Sequence, residues 1–330
     1  RYICSKLEQD TSELKYNFLK NETNMSNPLY RGIWPVVPTP FNEDGSIDYE
    51  GQKRVLDCMI DQGSDGLCIL ANYSEQMVMS DEERKTLTEL CFEHVANRVP
   101  IMVTCSHFST DIVEARCRHS AKLGAAIIML MPPYHGALMQ AGEQGMYEHY
   151  SRAADAAGIP IMVQDAPLAG VQMTVPFLVR MAKEIPLLQY FKIEMPQTAA
   201  KLKALIEAGG DNIVGPFDGE EGITLLADLD AGATGSMSSG LLTDLIKPVL
   251  DHHIAGDRDK AEAQYNKILP LINFENRQCG FRACKTAMKY GGVIKSDFVR
   301  HPTVPLPQST GDELIRIAKT LNPLVLSWGR

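Results

Sequence analysis

Leu67-Cys-Ile-Leu-Ala71 is a short apolar run that ends directly in the polar loop Asn72-Tyr-Ser-Glu75. Two further runs, Ile127-Ile-Met-Leu-Met131 and Ile159-Pro-Ile-Met-Val163, are apolar along nearly their whole length. Continuous apolar sequences of this kind are typical of strands that are covered on both faces, as in a parallel sheet flanked by helices. The three runs therefore predict buried parallel strands.

Outward from these runs, a pattern of strand, loop and amphipathic helix repeats at intervals of roughly 20 to 35 residues, as in successive βα units. The candidate strands begin near Ile33, Gly66, Ile101, Ala126, Pro160, Tyr190, Ile213 and Thr234. Two helix starts are well marked, because Asp48 can cap residues 49–62 and Ser80 begins a capping box that ends at Glu83. Eight such units predict the α/β class and a (β/α)8 TIM barrel rather than an open sheet.

The chain divides into three parts by pattern. Residues 1–30 form an N-terminal extension that begins with Arg, and its first 24 residues lack the apolar core of a signal peptide, so it is either disordered or an artificial addition. The barrel is expected over 31–240 and a C-terminal helical region, interpreted as a cap or an oligomerisation surface, over 241–330. Candidate helices of that region cover 241–255, 257–273, 276–290 and 311–321.

The composition of the chain argues against several classes of partner and of site. The chain of 330 residues is 45% hydrophobic, has a net charge of −9 and contains no Lys/Arg-rich run, which excludes nucleic acid and anionic membrane surfaces as expected partners. No apolar stretch approaches the ~18 residues of a membrane span. The eight cysteines include no CxxC pair, and there is no HExxH motif, so we expect no disulfide framework and no metal. This usage of cysteine predicts a cytoplasmic protein.

Lys192 is the most informative residue for function. It lies in Tyr190-Phe-Lys-Ile-Glu194, where strand alternation places Phe191 and Ile193 on one face and Lys192 on the other. If the apolar face meets the helices, Lys192 points into the barrel, where burial lowers a lysine pKa and yields the neutral amine that attacks a carbonyl. Taken alone, the residue is equally explained as an edge gatekeeper or as the ion-pair partner of Glu194.

Polar residues follow most of the candidate strands, at the rim where barrel enzymes carry their active sites. Some members, such as Asp165 or Ser74, are also explained as caps of the next helix. A lysine in mid-strand is harder to explain structurally. The set comprises Thr39, Asn72-Tyr-Ser-Glu75, Pro133-Tyr-His135, Gln164-Asp165, Lys192 and Glu194, Asp218-Gly-Glu220, and 236–239.

From Arg31 onward the chain resembles the dihydrodipicolinate synthase / N-acetylneuraminate lyase family. The motifs that carry the resemblance are Val37-Pro-Thr-Pro-Phe41, Ala71-Asn-Tyr-Ser-Glu-Gln76, Pro133-Tyr134, Gln164-Asp-Ala-Pro167 and Phe191-Lys-Ile-Glu194. The resemblance implies a class I Schiff-base enzyme for a small 2-oxo acid, with Lys192 as the imine-forming residue, no cofactor and a homotetramer or homodimer. It also implies that loop 71–75 holds the substrate carboxylate through its N–H groups and the Ser74 hydroxyl. Substrate contacts are expected from Asn72, Tyr73, Ser74, Gly215, Asp218, Met237 and Ser238.

The departures from the family pattern are equally informative. Gln164 occupies the place of the family's proton-relay tyrosine, and His135 replaces the second aromatic of its Pro-Tyr-Tyr motif. Leu168-Ala-Gly170 lacks the arginine with which synthases bind a second carboxylate. With Asp218-Gly-Glu-Glu221 and Leu271-Ile-Asn-Phe-Glu-Asn276, these departures resemble the sugar-acid dehydratase branch of the family.

That branch implies loss of water from a five-carbon 2-keto-3-deoxy sugar acid, giving 2,5-dioxopentanoate. Because glutamine cannot donate a proton as an acid, His135, Ser74 or a water held by Gln164 are the expected relays. Asp218, Glu220 and Glu221 are candidates for binding the distal hydroxyls, and the two glutamates are equally explained as helix N-terminal residues. The alternatives are an aldolase that releases pyruvate and a non-catalytic sugar-acid-binding relative, which would have no need of a buried amine.

Overall fold

Eight parallel strands close into a barrel in the structure of the chain, a computed structural model that describes residues 29–135, 139–166 and 171–330, with the backbone alone at 135, 139 and 140. The barrel strands run in the order β1-β10-β9-β8-β7-β4-β3-β2, and Val36 closes the ring by parallel bridges to both Cys68 and Ser239. A short hairpin, β5–β6, follows β4 and was not predicted. The strands are β1 (Gly32–Ile33), β2 (Leu67–Ile69), β3 (Ile101–Thr104), β4 (Ile127–Leu130), β5 (Tyr134–His135), β6 (Met139–Gln140), β7 (Ile161–Asp165), β8 (Leu188–Ile193), β9 (Gly215–Asp218) and β10 (Gly235–Ser236).

A helix follows each barrel strand, which confirms the predicted (β/α)8 architecture. The caps read from the sequence are present: Asp48 accepts a hydrogen bond from the Gly51 N–H, and Ser80 forms the capping box with Glu83. Each barrel strand begins within two residues of its predicted position. The barrel helices are α1 (Tyr49–Asp61), α2 (Asp81–Val95), α3 (Thr110–Lys122), α4 (Gly142–Ala157), α5 (Val175–Glu184), α6 (Thr198–Gly209), α7 (Leu225–Asp230) and α8 (Thr243–Ile254).

The apolar core has two layers, one inside the barrel and one between the barrel and its helices. Strand β8 shows how the sequence divides between them: Tyr190 packs in the inner layer, whereas Phe191 and Ile193 pack in the outer one. Since side chains alternate along a strand, Lys192 shares the inner face with Tyr190. The inner layer contains Trp34, Val36, Cys68, Ala71, Met102, Ile127, Met129, Met162, Tyr190, Phe217 and Met237.

The C-terminal region continues from α8 into three more helices and a single π-helical turn. Because α8 packs against β1 and completes the helical ring, the barrel extends to about residue 254 rather than ending at 240. Of the expected extension 1–30, residues 1–28 lie outside the described part, and Tyr30 packs edge-on against Trp34 in the barrel. The additional elements are α9 (Arg258–Phe274), the π turn Glu275–Cys279, α10 (Arg282–Tyr290) and α11 (Gln308–Lys319).

Among residues 29–135, 139–166 and 171–330, no helix combines the length and apolar character that a membrane crossing requires. In the same ranges, no three His, Cys, Asp or Glu side chains gather in a way that would bind a metal ion. The cysteines described there are buried free thiols.

Candidate active site

Lys192 projects into the barrel near the carboxyl end of β8, and its side chain is 3% exposed. Its Nζ lies 2.9 Å from Oε2 of Glu194, the residue that follows the strand. The space beside it depends on Gly219, because a Cβ there would lie 2.8 Å from Cγ of Lys192 and 2.7 Å from the Ile193 carbonyl oxygen. The lysine is therefore an enclosed group at the rim, with a carboxylate as its direct partner.

Gln164 lies beside the lysine on the neighbouring strand β7, since the strand register pairs Gln164 with Lys192. Its Nε2 donates a hydrogen bond of 2.6 Å to Oε2 of Glu194, the same oxygen that contacts Lys192. Its Oε1 is buried and accepts no hydrogen bond within the described ranges. Gln164 thus orients the carboxylate of Glu194, whereas the sequence led us to expect that it holds a water.

The pKa of Lys192 is raised, so the predicted lowering was wrong. Burial is the largest influence and does lower the pKa, as expected for an enclosed ammonium group. It is outweighed by the combined attraction of Glu194 and Glu221, the hydrogen bond to Glu194 and a smaller effect of Cys68. The resting amine is therefore a protonated ammonium, which must lose its proton before it can attack a carbonyl.

Two further glutamates lie near this site with pKa values raised by burial: Glu221, whose charge acts on Lys192, and Glu275, whose charge acts on Glu221 and Tyr73. Glu221 follows β9 in a left-handed backbone conformation (φ +51°), and burial together with the charge of Glu194 raises its pKa well above the usual range. Glu275, in the π turn of the C-terminal region, is wholly buried, and burial raises its pKa to about 8. Glu275 is consequently mostly protonated near neutral pH, and Glu221 holds a proton more readily than an ordinary glutamate does. The side chain of Glu194 is 24% exposed.

The loop after β2 lies beside these carboxyl groups. It forms the 3₁₀ turn Asn72–Ser74. The pKa of the Tyr73 phenol is raised well above its usual range by burial and by Glu221, Glu275 and Glu194. The Ser74 hydroxyl is already used within the fold, since it donates to the Val37 carbonyl (2.6 Å) and accepts from the Ala71 N–H (3.1 Å). The Asn72 amide oxygen accepts from Gln76 (2.8 Å), so Tyr73 is the side chain of the turn that faces the acids.

Asp218 and Gly215 lie in β9, the strand that pairs with the lysine strand β8. Asp218 pairs in register with the outward-facing Ile193; its oxygens accept hydrogen bonds from the Ser236 hydroxyl (2.7 Å) and the Glu220 N–H (3.1 Å), and burial raises its pKa. Gly215 begins β9 instead of ending it, and a Cβ there would lie 2.1 Å from the Tyr190 ring. These contacts favour a structural role for both residues, in contrast to the substrate contacts that we expected.

Three further residues were predicted for the site, namely Met237, Ser238 and His135. Met237 is wholly buried in the inner core of the barrel, directly after β10. Ser238 is wholly buried too, and its hydroxyl donates to the Ser239 carbonyl at 3.2 Å. His135 ends β5, but its side chain lies outside the described part of the structure, as does the segment 167–170.

The arrangement combines a buried amine, one carboxylate in direct contact with it and two buried glutamates with raised pKa values. Such groups can form an imine and then transfer protons. Sequence pattern alone predicted no catalytic role for Glu194 or for Glu275. The signals were present, since Glu194 ends the lysine strand and Glu275 lies in Leu271–Asn276, but only folding brings the C-terminal region to the rim.

Several known proteins share the sequence pattern and the fold of this chain. Residues 29–321 match the dihydrodipicolinate synthetase family. L-2-keto-3-deoxyarabonate dehydratase from Azospirillum brasilense is 54% identical over 93% of this chain and 99% of its own length. 4-Hydroxy-tetrahydrodipicolinate synthase 2 from Streptomyces coelicolor is 29% identical over 87% of this chain and 93% of its own.

Solved structures show the same fold. Dihydrodipicolinate synthase from Thermotoga maritima superposes with a TM-score of 0.83 at 22% identity, covering 90% of this chain and 100% of its own. A prophage protein of the dihydrodipicolinic acid synthase family from E. coli K12, in complex with pyruvate, gives a TM-score of 0.82 at 24% identity, with 90% and 100% covered. The eight-stranded barrel, the strand-end lysine and the match over residues 29–321 lead to one conclusion: this chain is a member of the dihydrodipicolinate synthetase family.

Proposed function

We propose that the chain is a class I Schiff-base hydro-lyase that converts L-2-keto-3-deoxyarabonate into 2,5-dioxopentanoate and water. Two findings support the proposal: the dehydratase relative that is 54% identical along nearly its whole length, and the grouping of Lys192 with Gln164 and Glu194. The second finding supports the reaction most directly. The carboxylate of Glu194, held by Gln164, is a base beside the amine of Lys192, and Gln164 stands where the family pattern has a tyrosine.

Imine formation begins with transfer of a proton from the ammonium of Lys192 to the carboxylate of Glu194, 2.9 Å away. The neutral amine then adds to the C2 ketone, and Glu194 returns its proton to the carbinolamine hydroxyl, which leaves as water and gives a protonated imine beside the Glu194 carboxylate. Gln164 holds Glu194 in place for both transfers through its hydrogen bond of 2.6 Å. A fixed base within reach of the proton is what general-base catalysis requires.

Elimination follows from the imine acting as an electron sink. A base, for which we propose Glu194, removes a C3 proton to form the enamine, whose electrons expel the C4 hydroxyl. Glu221 is the proposed acid for the departing hydroxyl, since burial raises its pKa and favours the protonated form. The conjugated imine loses a C5 proton, and the resulting enamine gains protons at C3 and C4 while its hydroxyl proton is lost, which leaves an aldehyde at C5. Hydrolysis at C2 releases the product and regenerates the amine.

We assign the substrate carboxylate to the loop Asn72–Ser74 and propose that backbone N–H groups hold it, as oriented amides at such turns commonly do. The hydroxyl of Ser74 is removed from this role because it already bonds to Val37 and Ala71. Tyr73, next to Glu194, Glu221 and Glu275, is the proposed contact for the substrate hydroxyls. The earlier assignments of Met237, Ser238 and His135 remain predictions.

The test is the product mass from a small panel of 2-keto-3-deoxy acids. L-2-keto-3-deoxyarabonate should give a product lighter than the substrate by one water. Release of pyruvate would instead identify an aldolase, and imine trapping without turnover on any member of the panel would identify a binding protein.

We further propose that the chain assembles as a homodimer or a homotetramer. The family supports this proposal, since a monomeric dihydrodipicolinate synthase variant is described as the first of its kind. Light scattering of the purified chain measures this directly, and a mass of one chain would contradict it.

A further inference from the structure

A second buried lysine, Lys285 of α10, lies behind the loop that we assign to the substrate carboxylate. Its side chain has no exposed surface. Its Nζ donates to Oε1 of Glu75 and, at 2.9 Å, to the Phe298 carbonyl. Glu75 directly follows the turn Asn72–Ser74, and its side chain is 4% exposed. The ion pair therefore joins the C-terminal region to the rim of the barrel, across 210 positions of sequence.

The backbone conformation of Glu75 requires contacts that hold it in place. Glu75 has φ +60°, in the left-handed region that residues other than glycine adopt rarely and at an energetic cost. Such a conformation persists only where the surroundings hold it. Here both carboxylate oxygens are held, Oε1 by Lys285 and Oε2 by the backbone N–H of Arg300 at 3.0 Å.

An aromatic ring and a guanidinium complete the arrangement. Nζ of Lys285 lies 4.3 Å from the centre of the Phe41 ring, and the guanidinium carbon of Arg300 lies 4.5 Å from it. Arg300 also donates to the carbonyls of Gly45 and Val78 at 2.8 Å and pairs with Glu83. Three segments that are distant in sequence thus converge behind one side of the site.

We propose that Lys285 and Glu75 are positioning residues for the active site: their ion pair holds the turn Asn72–Ser74 in the conformation that receives the substrate carboxylate. This inference rests on the proposed function of that turn. Lys285 touches no reacting atom, since Glu75, Phe298 and Phe41 enclose its amine. Losing the pair should therefore weaken the capture of a 2-oxo acid and leave the chemistry of Lys192 intact.

The experiment measures the pyruvate concentration that gives half-maximal borohydride trapping, together with the maximal extent of trapping. Lys285→Met should raise the half-saturating concentration by about 10-fold or more, because a misplacement of roughly 1 Å can cost up to about 10²-fold. Its maximal extent should equal that of the unaltered chain. Lys285→Arg, which keeps the charge, should restore most of the affinity. Lys289→Met is the matched control, since Lys289, 49% exposed, lies on the same helix and pairs with Asp297, so its loss should change neither value.

Glu75→Gln keeps the proposal testable where Lys285→Met does not fold, because glutamine preserves the shape and the acceptor for the Arg300 N–H. It should raise the half-saturating concentration by roughly 3- to 10-fold. Folded variants that trap pyruvate with unaltered concentration dependence would overturn the positioning role. Pyruvate trapping does not require dehydration, so a chain that forms the imine but releases no water product would refute the proposed reaction and leave this test intact.

Discussion

Lys192 and Lys285 are both buried and each pairs with a glutamate, yet the two pairs differ in which atoms meet solvent. Glu194, the partner of Lys192, is 24% exposed at the open rim of the barrel. Glu75, the partner of Lys285, is 4% exposed, and the lysine amine is additionally held by the Phe298 carbonyl. A substrate can therefore displace the first pair, whereas the second is closed on every described side.

The two pKa shifts run opposite to a simple expectation for a catalytic lysine. Burial, only partly offset by Glu75, lowers the pKa of Lys285, whereas the carboxyl groups around Lys192 outweigh burial and raise its pKa. A search for the lysine with the lowered pKa would select Lys285, which has no room for a substrate. The comparison teaches that access and a replaceable proton acceptor identify the reactive amine better than its resting pKa.

The largest expected effect is on the dehydration rate, which should depend on Lys192 far more than on Lys285. Lys192→Arg should lower the dehydration rate by about 10⁴-fold or more, the scale seen when a covalent nucleophile is removed, because a guanidinium forms no imine. Lys285→Arg should keep most of the activity. The measurement is the initial rate of product formation for the purified, folded variants, and equal losses in both would break the distinction.

For stability we expect the opposite order: replacing Lys285 should lower the free energy of unfolding more than replacing Lys192. Lys285→Met leaves the buried carboxylate of Glu75 without its ammonium partner and should lower the free energy of unfolding by about 3 to 5 kcal/mol. Lys192→Met should lower it by less than about 2 kcal/mol, since Glu194, 24% exposed, can be hydrated when its ammonium partner is lost. Urea denaturation of both variants measures the difference. A larger loss at Lys192 would show that its pair is the structural one.

Variants of Glu194 and of Gln164 test whether the proton acceptor beside Lys192 makes this lysine reactive. Glu194→Gln keeps the shape of the side chain but removes the proposed proton acceptor, and should lower kcat by about 10²-fold. Gln164→Ala, which removes only the group that orients Glu194, should have a smaller effect. Steady-state kinetics of the two variants measure the ranking; a greater loss at Gln164 would assign the principal role to the glutamine.

The smallest effect concerns Glu275, which the C-terminal region contributes to the barrel site. Its folded pKa of about 8 lies above that of an unfolded glutamate, so between pH 5 and 8 the folded state holds a proton that the unfolded state has lost. The stability of the unaltered chain should therefore fall as pH rises through this range. Glu275→Gln should remove up to roughly 1.4 kcal/mol of that fall per pH unit. Parallel urea titrations at pH 5, 6, 7 and 8 test it, and identical slopes would contradict the raised pKa.

Local pattern was sufficient for most of the fold. The eight strands and the inward direction of Lys192 followed from apolar runs and from alternation, because both depend on residues close in sequence. The raised pKa of Lys192 did not follow, since it depends on carboxyl groups that arrive from two strand ends. Glu275 reaches the site only through the packing of the C-terminal region, which depends on contacts between residues distant in sequence.

Peptide mass mapping after borohydride reduction with L-2-keto-3-deoxyarabonate tests the central claim most directly. The reduced adduct should be found on Lys192 and on no other lysine, Lys285 included, and should be lost in Lys192→Arg. A chain that turns the substrate over with Lys192 unmodified, or with the adduct on Lys285, would contradict the account.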